Sequence, residues 1–200
     1  MKIVILGPDG AGKSSVIHGL ICKLTESGHS VKMRHLKPRF VSLQRSEPGA
    51  VVDNPHGKPP RSALVSIVKI LAWLLEEWCA NLFQDERAPL LICDRYYHDL
   101  LIDSKRYRYG GPQWIARWVG KLIPRPDMWI LLDAPADVLQ SRKQEVPLEE
   151  TARQRLAYLA FIEKQQKHAI VDAAQSLDRV IEDTEQVIQG LMIRDEGNRG

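Results

Sequence analysis

Gly7-Pro8-Asp9-Gly10-Ala11-Gly12-Lys13-Ser14 fits the spacing G-x-x-x-x-G-K-[ST], with the apolar run Ile3-Val4-Ile5-Leu6 before it and Ser15-Val16-Ile17 leading into a helix after it. Glycines let the backbone fold into a concave nest of N–H groups at a helix N-terminus, where unsatisfied donors and the helix dipole favour a polyphosphate. In such a cradle Lys13 reaches the β- and γ-phosphates and the Ser14 hydroxyl ligates Mg²⁺. The bland alternative is a strand-to-helix turn that is rich in glycine for steric reasons alone.

A second group lies further on, where Leu90-Leu91-Ile92-Cys93 reads as a buried parallel strand ending on Asp94-Arg95. Ligands of such sheets bind beyond the carboxyl ends of the strands, so both charges are expected in the same crevice as the glycine loop. There Asp94 could hold Mg²⁺ directly or through water, or it could cap a helix. Met128-Trp129-Ile130-Leu131-Leu132 gives another strand, and Asp133 at its end reads as a turn or cap residue before Ala134-Pro135 rather than a metal ligand. Arg142, Arg153 and Arg155 flank a charged break, 142–147, that has the character of a lid, and could neutralise a transferred phosphate. For Arg153 a solvated helix face competes with that role.

These residues need a frame. After the first helix, ending near Gly28, Val31-Lys32-Met33-Arg34-His35 alternates like a second strand. The stretch 37–61 is a long irregular segment in which Lys37, Arg39, Arg45, Lys58 and Arg61 outnumber Glu47 and Asp53. It could bind an anionic acceptor, with Arg39 and Arg61 as contacts, or be a solvated surface loop. Ser62 can cap a helix over 62–84 that is apolar around much of its circumference, and is therefore either a core helix or a homodimer contact. The segment 104–111 interleaves cations with aromatics and reads as an acceptor-binding loop or a structural one. Pro112 can open a helix over 113–122 whose Trp114, Ile115, Trp118 and Leu122 share a face expected to be core. A helix over 149–167, a fifth strand at 169–172, a capped helix after Ser176 and a frayed tail over 194–200 complete the chain.

Two hundred residues with 44% hydrophobic and 26% charged composition suit a single three-layer α/β domain, 1–193, with the lid at about 142–150. A net charge of +3 does not argue for a nucleic-acid polymer. Cys22, Cys79 and Cys93 lack C-x-x-C spacing and sit in apolar contexts, so they read as reduced, buried thiols of a cytoplasmic protein. Met1-Lys2 runs straight into the first strand, so no signal peptide is expected, and the charges within 64–83 argue against a membrane span.

Taken together, the glycine loop, Asp94-Arg95-Tyr96, Pro126-Asp127, Leu132-Asp133-Ala134-Pro135 with Arg142, and Val171-Asp172-Ala173-Ala174-Gln175 resemble the thymidylate kinase family of P-loop nucleotide kinases, in the right order over nearly the whole chain. The resemblance implies a parallel sheet of order 2-3-1-4-5 and γ-phosphoryl transfer from ATP·Mg²⁺ to dTMP or a related nucleoside monophosphate. It implies a donor site of Gly7 to Ser15 with Ala174 and Gln175 beside adenine, and Arg142 in the lid on the adenine side. It sets Asp9 near the acceptor sugar hydroxyl, Arg95 between the donor and acceptor phosphates, and Tyr96 among the acceptor contacts.

The departures fall on the acceptor side. His35-Leu36-Lys37-Pro38-Arg39 stands where the family has Arg-Glu-Pro-Gly-Gly after its second strand, Asp99 replaces the usual Ser, and the Tyr-Gln pair that helps read thymine is not evident. A kinase of a hydroxyl acceptor, with Asp94 or Asp9 as base, therefore stays open. So does a nucleotide-binding regulator without an acceptor, although no N-K-x-D guanine-reading tetrapeptide occurs.

Overall fold

The computed structural model describes residues 1–35, 59–82 and 90–197, with side chains to Arg194. The chain divides into two compact units: Met1–His35 with Arg87–Arg95 and Pro126–Gly200, and Leu36–Glu86 with Tyr96–Arg125.

The first unit is built on five parallel strands, β1 Lys2–Leu6, β2 Val31–His35, β3 Leu90–Asp94, β4 Met128–Asp133 and β5 His168–Asp172, in the order β2-β3-β1-β4-β5. The expected order is met. Strands covered on both faces read as continuous apolar runs, which is why β1, β3 and β4 were legible without alternation. On one face Ile3, Ile5, Ile92, Ile130 and Leu132 join Ile17, Leu20 and Leu24 of α1 (Lys13–Glu26) and Ile181 and Ile188 of the C-terminal helix (Leu177–Gly197) in one buried core. On the other, the Trp129 ring meets Phe161 edge-on at 5.2 Å, so the helix Leu148–Ile162 covers the opposite face. That helix stops at Ile162, short of the expected 167, and the last helix continues past Arg194 to Gly197. Between β4 and Leu148 a seven-residue helix, Ala136–Arg142, is followed by the charged break. We number these helices α5 (Ala136–Arg142), α6 (Leu148–Ile162) and α7 (Leu177–Gly197).

The second unit holds α2 (Ala63–Leu82), a one-turn α3 (Asp99–Ile102) that the pattern did not reveal, and α4 (Gln113–Leu122). Its core is formed by Ile70, Trp73, Tyr96, Tyr97, Leu100, Ala116 and Val119. Gly120 lets α4 approach closely, since a Cβ there would lie 3.3 Å from both Leu101 and Tyr97.

Two expectations are corrected, and the choice left open for α2 is narrowed. Trp114 and Trp118 are 71% and 56% exposed, because α4 buries its small face, Ala116, Val119 and Gly120, and turns the tryptophans outward. Cys22 and Cys79 are exposed, and only Cys93, inside β3, is buried. Most of α2 is not core: it buries Ser66, Ile70, Trp73 and Glu77 and exposes Leu64, Val68, Leu71, Leu75, Trp78 and Leu82. Among the described residues no helix is long and apolar enough to cross a membrane.

Candidate functional site

All five strands of the first unit end on one side of the sheet, and the charged residues at those ends are its chemistry. The glycine loop leaves β1 there and runs into α1, whose N-cap, Gly12, sits in the left-handed region at φ +76°. Gly10 has φ +87°, and a Cβ at this position would collide with the Leu139 carbonyl of α5, so the loop and α5 approach as closely as only glycine allows. The Lys13 ammonium, 6% exposed, turns back over the loop and donates to the Gly7 and Pro8 carbonyls at 2.6 and 2.7 Å. Ser14 and Ser15 are exposed at the start of α1. A buried cation bonded to the rim of the cradle is poised to exchange carbonyl oxygens for phosphate oxygens.

Asp94 closes β3 and is paired in register with Ile5 of β1 on one side and His35 of β2 on the other. Its Oδ2 lies 2.7 Å from His35 Nδ1, whereas its buried Oδ1 has no hydrogen-bond partner. Burial pushes the Asp94 carboxyl up, but the His35 hydrogen bond and the charges of His35, Lys13 and Arg95 outweigh it, leaving the group below its ordinary value and ionised. The donor set fits Mg²⁺, which takes one or two protein oxygens and completes its shell with water and phosphate. The Ser14 hydroxyl and the Asp94 carboxylate are oxygen donors of that kind.

Arg95 follows at φ +71°, a strained position for a side chain. Its Nη2 donates to Asp9 Oδ1 at 2.8 Å, and both side chains are only 10% exposed. The loop aspartate and the strand-end arginine thus hold one another. Arg142, exposed at the end of α5, donates to the Ala173 and Ala174 carbonyls at 2.7 and 3.4 Å, which ties α5 to the loop after β5. That loop is shaped by Asp172, which accepts from Ala174 N at 2.9 Å, and by Gln175, whose amide donates to the Asp172 carbonyl and to Asp183.

Other predicted residues are engaged elsewhere. Asp133 takes a bidentate ion pair from Arg155, 2.8 Å at each oxygen, so this carboxylate holds α6 to the end of β4 and Arg155 carries its own counter-charge. Arg153 pairs with Glu150 one turn back on α6, as a solvated helix face would. Tyr96 is fully buried, its hydroxyl 2.6 Å from the Pro124 carbonyl and 2.9 Å from Glu77, which makes it a core residue of the second unit and not an open contact. Arg61 lies in the second unit, where its N–H donates to the Arg108 carbonyl at 3.0 Å. Nearby, Lys69 donates to the Tyr107 carbonyl and sits 4.8 Å over the Trp73 ring, its pKa pushed down to about 8 by burial and by Arg61 and Arg108. Arg39, with Lys37, Arg45 and Lys58, lies outside the described residues. A cavity of about 530 Å³, lined in part by Met128, Lys167, His168 and Leu191, sits at the amino ends of β4 and β5, the far end of the sheet from the glycine loop.

Sheet order, glycine cradle, buried lysine and strand-end Asp-Arg pair together have the form of the α/β P-loop kinase fold. No family model matches the chain. It is 34% identical over 113 residues to the "Probable thymidylate kinase 1" of Saccharolobus solfataricus, an alignment that spans 51% of this chain and 56% of that one. It is 27% identical over 204 residues to the "Probable thymidylate kinase" of Archaeoglobus fulgidus, spanning 96% of each. The chain is thus similar to proteins named probable thymidylate kinase, over about half the length of the first and nearly the whole length of the second.

Proposed function

We propose that the protein transfers the γ-phosphoryl group of ATP to dTMP or a closely related nucleoside monophosphate. The observation that carries this is the convergence of Lys13, Asp94, Arg95 and Asp9 around the glycine cradle, all four charged and largely buried. Phosphoryl transfer asks little covalent chemistry of a protein: two polyanions must be held in line and their charge neutralised. Lys13 leaves the Gly7 and Pro8 carbonyls for the β- and γ-phosphates, and the N–H groups of the loop through Ser15 receive the same chain of oxygens. Arg95, aimed by Asp9, presents its guanidinium to the transferred group, and Asp9 lies on the side of the acceptor sugar. Ser14 and Asp94 would hold Mg²⁺, which when bound neutralises phosphate charge. Arg142, Ala174 and Gln175 form the adenine side, and Arg39 and Arg61 serve the acceptor.

The missing Tyr-Gln pair favours a second reading, in which the acceptor is a hydroxyl on a nucleoside or sugar and Asp94 or Asp9 is the base. An ATP-consumption screen over nucleosides, nucleotides and sugars separates the two. Turnover of a nucleoside monophosphate, with acceptor binding lost in Arg95→Met, supports the first. Turnover of a hydroxyl acceptor alone, with Asp94→Asn binding it but inert, supports the second. ATP binding with no acceptor turned over returns the protein to the class of regulators.

The same proposal includes a cytoplasmic homodimer formed through the 62–84 helix. Leu64, Val68, Leu71, Leu75, Trp78 and Leu82 recur at alternating four- and three-residue spacing, the repeat of a helix-pairing seam, and all are between 40% and 73% exposed.

A further inference from the structure

His35 belongs to none of the motifs that define the site, yet it makes the closest side-chain contact to the proposed metal ligand. The last rung of the β2–β3 ladder is His35 opposite Asp94. Residues directly paired on parallel strands project from the same face, so the imidazole and the carboxyl are brought side by side by register alone. The contact is 2.7 Å, from Nδ1 to Oδ2, with the carboxylate 6% and the imidazole 43% exposed. An ionised carboxylate only accepts, so Nδ1 carries the proton and donates. One oxygen of Asp94 is thereby occupied, while Oδ1, buried, meets no donor. A carboxylate with both oxygens open can swivel about its Cβ–Cγ bond; one pinned at Oδ2 presents Oδ1 in a single direction.

We propose that His35 is a positioning residue that fixes Asp94 through Oδ2 and so presents Oδ1 to the nucleotide-bound divalent cation or to a water on it. The inference rests on the reading of Asp94 as a metal ligand given above. It also accounts for one departure from the family pattern: the residue that replaces the start of Arg-Glu-Pro-Gly-Gly after β2 serves the donor half of the site.

The test is Mn²⁺ binding followed by electron paramagnetic resonance, in the full-length protein saturated with a non-hydrolysable ATP analogue, compared between wild type, His35→Ala, His35→Asn and Asp94→Asn. Loss of an outer-sphere partner lowers metal affinity by roughly 10–100-fold, and His35→Ala is expected to show about the lower figure, with affinity for the metal-free analogue unchanged. His35→Asn, whose amide nitrogen replaces Nδ1, is expected to recover most of the loss, and the Mg²⁺ requirement of turnover to follow the same order. His35 is exposed enough for both variants to fold, which a thermal melt verifies. Wild-type Mn²⁺ affinity in His35→Ala beside weakened affinity in Asp94→Asn would overturn the role of His35. So would His35→Asn being as weak as His35→Ala. Wild-type affinity in Asp94→Asn would overturn the metal role of Asp94 itself, and the inference with it.

Discussion

Removing Asp9 should destabilise the first unit as well as silence the site, because Arg95 is held by that carboxylate at 2.8 Å with both side chains 10% exposed. Two unit charges about 4 Å apart attract by about 4 kcal/mol at an effective dielectric constant near 20. Deleting one partner of a buried pair costs about 3–5 kcal/mol, because the other is left without its counter-charge. With a tenth of each side chain still wetted, we expect about 3 kcal/mol for Asp9→Ala. At about 2–4 °C per kcal/mol for a chain of this size, that is a fall in Tm of about 6–12 °C. Arg95→Ala should cost a comparable amount, since it leaves the equally buried Asp9 carboxylate without its counter-charge. Arg95→Gly should be milder than Arg95→Ala by about 1 kcal/mol, because φ +71° is free to glycine. The assay is urea unfolding of wild type, both single variants and Asp9→Ala/Arg95→Ala, followed by circular dichroism. The double-mutant cycle should return a coupling of about 2 kcal/mol. A coupling below about 0.5 kcal/mol would refute the pair as a structural element of the site.

Three further outcomes follow from particular contacts. Gly10→Ala sets a Cβ against the Leu139 carbonyl at φ +87°, so it should lower stability by about 2 kcal/mol and weaken ATP binding at least tenfold by calorimetry. His98, pushed down to about 4 by burial despite the Gly120 carbonyl 3.2 Å from its Nε2, takes up its proton more readily unfolded than folded. Stability should therefore be intact above about pH 6.5 and fall by about 1–3 kcal/mol as pH drops from 6.5 through 4, and His98→Gln should flatten that part of the stability curve. The double variant Leu71→Glu/Leu75→Glu should sediment as a monomer with its circular dichroism unchanged if the exposed seam of α2 pairs two copies, and wild type should sediment as a dimer.

The donor half of the site was legible because it is local. A glycine loop between a strand and a helix, and an acid-base pair at the end of an apolar strand, are written in adjacent residues, and the strand order came with the family resemblance. What was hidden depends on which strands become neighbours. His35 and Asp94 are 59 residues apart and Asp9 and Arg95 are 86 apart, so neither pair exists until β2-β3-β1 is assembled. Periodicity also shows that a helix has an apolar face without showing that anything covers it. Hence Trp114 and Trp118 read as core but lie outward, and Asp133 read as a cap but binds Arg155. Tyr96 follows the strand-end arginine in sequence and is nonetheless swallowed by the second unit, where Glu77 and Pro124 hold its hydroxyl.

The proposed transfer of a phosphoryl group from ATP to the phosphate of a nucleoside monophosphate is followed by ³¹P NMR of the protein with ATP, Mg²⁺ and dTMP, run beside Lys13→Met. The resonances of ADP and of a new nucleoside diphosphate are expected to grow in pairs, both absent with the variant. Unchanged dTMP and other nucleoside monophosphates, in a preparation that phosphorylates a sugar or nucleoside hydroxyl, would contradict it.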